Sequence, residues 1–470
     1  MKPNIIFLLI DSFSADKFLG SSKTSKTPNL DSVISQGTYF NQTISVASTT
    51  VPSYSSMLTG LYPFQCVEKK ENVILLKTEL KTFIQKFEEN DYTVFAELPE
   101  IIALSGLKDI IKNCNIFDTF STLYDNVGTN IEDTLSNLKE PWLYYIHLMD
   151  IHGSAHAGKN NSEINKFLKP EYGKNNYEKM VSAMDYWLGK IFSKINFENT
   201  ILVITADHGS PVSEYDENME KENKQSNEKR DSSSKLSYKI GHKVVTNFPE
   251  FMNPVRKKLS KTYLKQKNKS VTEDVQTRLS QLESDELSPR KKRLFENAIM
   301  TTGNLFDEVC RIPLLFTGFS IPKNKIISNQ VKNIDIFPTL YEIISGNSDD
   351  NLVGKSLVPL FKDEQFFEDP ILLQTIVNTD EIKPKIGIRT SNYKYFRNDE
   401  KEPKNRFLFD LNKDPLEENN IAENEDDKVT FFEQQISSIL KKGKVSSEPT
   451  TISKKEMDDA KELLKKLGYI

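Results

Sequence analysis

A chain of 470 residues, 37% of them hydrophobic, can bury a sizeable core and exceeds the usual domain size of about 100 to 150 residues, so one large domain and a smaller one are expected. Its 62 basic and 67 acidic residues leave a formal net charge of −5, which excludes wholesale attraction to nucleic acid or anionic lipid, so any bound anion needs a local site. Cys66, Cys114 and Cys310 lie far apart without a CxxC spacing, which excludes a disulfide framework or structural zinc site and points to a reducing compartment.

In chain order, residues 5–10 form an apolar run after a single early charge, too short for a secretory core and far below the ~20 residues needed to span a bilayer. A cytoplasmic protein with no membrane span is therefore expected. The same run reads as a strand buried on both faces of a parallel sheet, ending at Asp11 and Ser12. Residues 92–96 and 142–147 are further strand candidates, with helical spacing over 80–89 and 177–195. Residues 201–206 repeat the apolar pattern and deliver Asp207 and His208 at their end. Ligands in open α/β sheets gather at such carboxyl ends, so the two segments are expected to converge.

Residues 214–297 carry polar runs that bury too little surface to order themselves; part is read as a loop or lid, and the helical spacing over 271–282 leaves a helical insertion over the site as the alternative to disorder. Residues 312–316 resume the strand pattern. Beyond 368 the strands shorten (371–373, 385–389, 393–396), before a closing helix over 453–467. The expected fold is α/β, with a doubly wound, mostly parallel central sheet flanked by helices over 1–367 and a small C-terminal antiparallel subdomain over 368–470.

The segment Thr50-Val51-Pro52-Ser53-Tyr54-Ser55-Ser56-Met57-Leu58-Thr59-Gly60, read with Asp11 and with Thr205-Ala206-Asp207-His208-Gly209, resembles the nucleophile and metal motifs of the sulfatase family, within the alkaline phosphatase superfamily. Thr27-Pro28-Asn29-Leu30-Asp31, Asp307 to Leu314, Asp335-Ile336-Phe337-Pro338-Thr339-Leu340 and Gly354-Lys355-Ser356-Leu357 are similar to other family segments in the same order. So is Leu408-Phe409-Asp410-Leu411 with Asp414-Pro415. The resemblance covers about residues 1–210 and 300–470.

It implies that Asp11, Asp207 and His208, together with Thr50, hold one divalent ion, and that Thr50 attacks an ester. Two hard oxygen donors and one nitrogen suit manganese or zinc and, with more oxygens, calcium or magnesium. His147 to Gly153 is similar to the family's stretch whose later histidine contacts the anion, so His152 is a catalytic and substrate-binding candidate, while His147 reads as strand-end packing. His242, with Lys243 beside it, matches a further family histidine. Tyr54 stands where the family has arginine and is the remaining substrate-side candidate. A two-ion variant would draw on Asp150, His152 and His242.

Sulfatases that oxidise cysteine or serine to formylglycine expel sulfate from a hydrated aldehyde, which threonine cannot form. A Thr50 alkoxide must then form a sulfo- or phospho-enzyme itself, and phosphoryl transfer becomes the favoured chemistry. The expected partner is a small anionic ester. The alternative is a non-catalytic protein of this fold that binds an anionic ligand or protein partner, motivated by Ser12, Tyr54 and Thr302 at positions where the family has other residues.

Overall fold

A computed structural model of the chain describes residues 2–77, 79–152, 161–222, 224–225, 288–299, 303–347, 352–378, 383–400, 405–443 and 453–466. The helical spacing at 271–282 lies outside these residues. The chain divides into two compact units, residues 1–213 with 303–470 and residues 214–302. In the second unit, helix Pro289–Ile299 buries Leu294 and Phe295, and Arg290 pairs with Glu214 at 3.3 Å.

The first unit is built on an eight-stranded sheet. Its strands are β1 (Asn4–Ile10), β2 (Gly37–Phe40), β3 (Thr93–Pro99), β4 (Asn113–Phe117), β5 (Trp142–Leu148), β6 (Thr200–Thr205), β7 (Leu314–Gly318) and β8 (Lys325–Ile327), in the spatial order β8-β2-β7-β6-β1-β5-β3-β4. β1 lies between β5 and β6 and is parallel to both, whereas β7 runs antiparallel to β6 and β2. This is the doubly wound, mostly parallel sheet read from the sequence.

The apolar run of β1 is continuous because each of its faces meets a different core. Ile5, Phe7 and Leu9 join Phe83, Phe87, Phe337 and Leu463 on one side, while Ile6, Leu8 and Ile10 join Tyr177, Met184, Trp187 and Leu188 on the other. Burial of each such side chain stabilises the fold by about 1.5–3 kcal/mol, so both faces anchor the strand that carries Asp11. The helices that matter for the site are α1 (Thr50–Thr59), α2 (Asn176–Ser193) and α3 (Ile336–Ser345); α4 (Asp426–Lys442) and α5 (Lys454–Lys466) close the chain.

The C-terminal strands form a separate antiparallel sheet, β9 (Ile371–Gln374), β10 (Lys385–Arg389), β11 (Tyr393–Asn398) and β12 (Arg406–Asp410). Leu372 lies opposite Ile388, and both share a core with Ile44, Val46 and Leu305 and with Phe432 of α4. A buried charge cluster reinforces this contact. Asp307 accepts from Arg389 at 2.8 Å and Lys394 at 2.7 Å, and Lys394 also reaches Glu417 at 2.9 Å. Burial alone would raise the Asp307 carboxyl, but Arg389 and Lys394 overcome it and hold the group well below the usual carboxylate range.

Candidate active site

Register sets the site. Leu9 lies level with His147 on β5 and with Thr205 on β6, so the residues that follow β1 and β6 leave the sheet along one edge. Asp11 N–H still donates to Leu148 O at 2.9 Å. The chain then turns at Ser12, whose φ of 63° is left-handed and costly for a residue with a side chain. That turn aims Ser12 N–H at Asp207 Oδ1 (3.0 Å) and Ser12 Oγ at Asp11 Oδ1 (2.7 Å).

Asp207 Oδ1 also accepts His208 N–H at 2.8 Å, whereas its buried Oδ2 has no hydrogen-bond partner among the described residues. His208 Nδ1 stands 2.8 Å from Gly209 O, a contact that places a proton on Nδ1, so that the neutral ring, the form that binds a metal, carries its lone pair on Nε2. Nε2 lies 3.3 Å from Asp207 Oδ2. Asp11, Asp207 and His208 thus present one ligand atom each, all within 4.8 Å of one another.

Thr50 is the first residue of α1, where the helix dipole and free N–H groups favour negative charge. Its Oγ1 is 3.2 Å from Asp11 Oδ2 and 3.2 Å from His208 Nε2. Gly60, at φ 69°, ends the helix in the left-handed turn that the motif's glycine supplies. The N-terminal turn is fastened to the Asp207 loop by Ser53, whose Oγ donates to Asp207 O at 2.6 Å. Asn333 Nδ2 donates to Ser53 Oγ (3.0 Å) and Ser45 Oγ (3.2 Å), while its Oδ1 accepts Val46 N–H at 3.2 Å. Asn333→Ala strands these buried groups and is expected to destabilise the protein by about 1–3 kcal/mol, read as a lower denaturation midpoint.

The electrostatics of this set fit a cation. Burial acts to raise the Asp11 carboxyl, but His152, His147 and His208 outweigh it and hold Asp11 well below the usual range. Asp207 is pushed up by burial and then by the charge of Asp11. Burial works against a charged His208, yet Asp207 and Asp11 raise it overall. Two buried carboxylates that repel each other, one with an oxygen lacking a partner, suit a divalent ion that neutralises both. Asp11, Asp207 and His208 could hold such an ion, with Thr50 Oγ1 within 3.2 Å of two of them.

His152 Nε2 lies 3.8 Å from Asp11 Oδ1, with 14% of the side chain exposed. His147 is buried at the strand end, and its Nε2 also points to Asp11 Oδ2 at 3.6 Å, without a hydrogen-bond partner among the described residues. The strand register makes it a site residue, and its level with Leu9 was the available signal. Tyr54 departs from expectation. It is fully buried, its hydroxyl donates to Ser105 O at 3.3 Å and its ring stands edge-on to His147, so it supports the site from within the core and has no surface for substrate. His242 and Lys243 lie outside the described residues.

Asp150, weighed for a second ion, instead accepts Leu123 N–H at 3.0 Å in a buried position. Burial pushes its carboxyl up to about 7 from 3.8. Between these values the folded chain holds a proton that the unfolded chain has released, so stability falls as pH rises through this window and levels off above it. Asp150→Asn is expected to flatten that fall, gaining roughly 2–4 kcal/mol on the wild type between about pH 5 and pH 8 in chemical denaturation.

This sheet, with a hydroxyl and an Asp-Asp-His set at its carboxyl edge, is the arrangement of the alkaline phosphatase superfamily. The chain belongs to the sulfatase family within it: the family model "Sulfatase" matches residues 3–274, and the model "N-sulphoglucosamine sulphohydrolase, C-terminal" matches residues 296–444. Among curated relatives, arylsulfatase K of Bos taurus is 30% identical over 151 residues, and that of Homo sapiens is 29% identical over 151. Each match covers 31% of this chain and 28% of the relative, so the aligned region spans less than a third of those proteins. Among solved structures, the phosphonate monoester hydrolase of Agrobacterium radiobacter is similar with a TM-score of 0.61 at 14% identity, covering 95% of this chain and 100% of that one. A putative sulfatase from Bacteroides thetaiotaomicron gives 0.62 at 15%, covering 96% of each chain. A 2-O GAG sulfatase gives 0.60 at 15%, also covering 96% of each. At these identities the likeness is one of fold.

Proposed function

We propose that this chain hydrolyses sulfate esters, with Thr50 Oγ1 as the attacking oxygen and a divalent ion held by Asp11, Asp207 and His208. The observation that carries this reading is the placement of Thr50 Oγ1 at 3.2 Å from both Asp11 Oδ2 and His208 Nε2, at the first turn of α1. Membership of the sulfatase family and the relatives named arylsulfatase K support the ester class.

When bound, the ion supplies Lewis-acid neutralisation of the transferred group and lowers the pKa of the nearby hydroxyl. Thr50 Oγ1 gives up its proton to Asp11 Oδ2, 3.2 Å away, and forms a bond to sulfur, while the bond from sulfur to the ester oxygen breaks. His152, 3.8 Å from Asp11, steadies the anion and gives a proton of its own to the leaving alcohol. Water then attacks the sulfur of the sulfo-threonine and passes a proton to His152, while Asp11 returns its proton to Thr50 Oγ1 as sulfate leaves, which restores all three groups.

A second reading keeps the same steps on a phosphate ester. Thr50 itself favours it, because threonine cannot yield the aldehyde on which formylglycine-dependent sulfate release rests. Rates for para-nitrophenyl sulfate, para-nitrophenyl phosphate and bis-para-nitrophenyl phosphate with manganese, zinc, magnesium or calcium separate the two. Fastest turnover of the sulfate supports the first reading and fastest turnover of a phosphate the second. No turnover of any ester with any ion leaves the non-catalytic alternative.

A further inference from the structure

Ser12, directly after Asp11, keeps a left-handed backbone with φ 63°, a conformation that a residue with a side chain holds only where its surroundings over-determine it. The group that does so comes from α2. The Tyr177 hydroxyl donates to Ser12 O at 2.8 Å and accepts Ser14 N–H at 3.0 Å, so one oxygen closes the turn from both sides. Tyr177 is fully buried, and its ring shares a core with Ile6, Leu8 and Ile10 of β1, so packing under the strand that carries Asp11 fixes where the hydroxyl sits.

The same turn orients both candidate carboxylates. Ser12 N–H donates to Asp207 Oδ1 at 3.0 Å, and Ser12 Oγ donates to Asp11 Oδ1 at 2.7 Å. With Asp207 Oδ1 taken up by Ser12 N–H and His208 N–H, Oδ2 is the oxygen left toward His208 Nε2, 3.3 Å away. Ser14 extends the link to the loop after β6: its Oγ accepts Ser210 N–H at 3.0 Å and lies 3.0 Å from Ser213 Oγ. Ser213 O in turn accepts from the side-chain amide of Asn175, the N-cap of α2, at 3.0 Å. The loops that carry Asp11 and Asp207 are therefore fastened to the same end of α2.

We propose that Tyr177 is a positioning residue for the ion: by holding Ser12 in the left-handed turn it keeps Ser12 N–H on Asp207 Oδ1 and Oδ2 directed at the ion, so a core tyrosine that is not itself a ligand sets the metal affinity. This rests on the reading that Asp11, Asp207 and His208 hold a divalent ion. Without the hydroxyl, Ser12 relaxes toward the backbone regions open to residues with a side chain. Its N–H then leaves Asp207, and the carboxylate loses the bond that decides which oxygen faces the ion.

Calorimetric titration of the full chain with manganese and with zinc tests this without turnover. Tyr177→Phe keeps the ring and is expected to weaken ion binding by about tenfold or more, the usual effect of losing a group that orients a ligand. Ser182→Ala removes hydrogen bonds that α2 makes to Lys26 N–H and Tyr172 O, so it lowers the melting temperature yet leaves the affinity within about twofold of the wild type. The route through Ser12 is tested in the Ser12→Gly background, because glycine adopts a positive φ without a steric penalty. There, adding Tyr177→Phe is expected to weaken the ion by no more than about threefold. Wild-type affinity in Tyr177→Phe, an equal loss in Ser182→Ala, or the same loss with and without Ser12→Gly overturns the positioning role. Thermal melting shows which variants fold: rescue of an unfolded Tyr177→Phe by Ser12→Gly supports the proposal, and unfolding in both backgrounds reduces Tyr177 to a support of the fold and overturns it. A wild type that binds neither manganese nor zinc overturns the ion reading itself, and this inference with it.

Discussion

Thr50→Ala is expected to lower kcat for the preferred ester by at least about 10³-fold, with the metal content per chain unchanged. The separation follows from geometry. Three of the four atoms proposed to hold the ion belong to Asp11, Asp207 and His208, which keep their supports from Ser12 N–H, His208 N–H and Gly209 O when the threonine hydroxyl is removed. The proposed attacking oxygen, by contrast, is lost with the side chain, and Ser12 Oγ is engaged with the other oxygen of Asp11. Thr50→Ser keeps an oxygen at the first turn of α1 and is expected to retain measurable turnover, whereas Thr50→Val, of nearly the same shape, behaves like the alanine variant. Elemental analysis beside steady-state kinetics checks all three, and full activity in Thr50→Ala removes this residue from the reaction.

Adding the bound ion is expected to stabilise the wild type by about 2.7 kcal/mol when its free concentration is a hundred times its dissociation constant, seen as a rise in melting temperature that a chelator reverses. Asp207→Asn should invert this pattern. Its amide oxygen can still accept from Ser12 and His208, while the repulsion between two buried carboxylates disappears. The variant is therefore expected to melt higher than the wild type in chelator, and to gain little when manganese or zinc is added. An equal metal-induced rise in both proteins would show that the ion is held elsewhere. The measurement is independent of turnover and so tests the ligand set alone.

Parts of the architecture were legible because they depend on one strand at a time. A strand buried on both faces must be apolar throughout, so residues 5–10 and 201–206 announce themselves, and a polar residue at the end of such a run marks the sheet's carboxyl edge. The short C-terminal strands were equally visible. The roles of His147, Tyr54 and Asn333 were not. Whether a histidine ending a strand lies beside Asp11 depends on how that strand is aligned with its neighbour, and the direction of Tyr54 depends on which side of α1 faces the core. Asn333 bonds Ser45, Val46 and Ser53, residues at least 280 positions away, whose meeting no local pattern encodes.

The amino-acid order alone thus determined the sheet type, the family likeness and the chemical identity of Thr50, because hydrophobic period and side-chain chemistry are local properties. Tertiary structure decided which groups face one another: it set His147 against Asp11, turned Tyr54 inward and brought the Tyr177 hydroxyl to the Ser12 turn. Those outcomes follow from strand register and burial, which fix distances and charge environments only once the whole sheet has assembled.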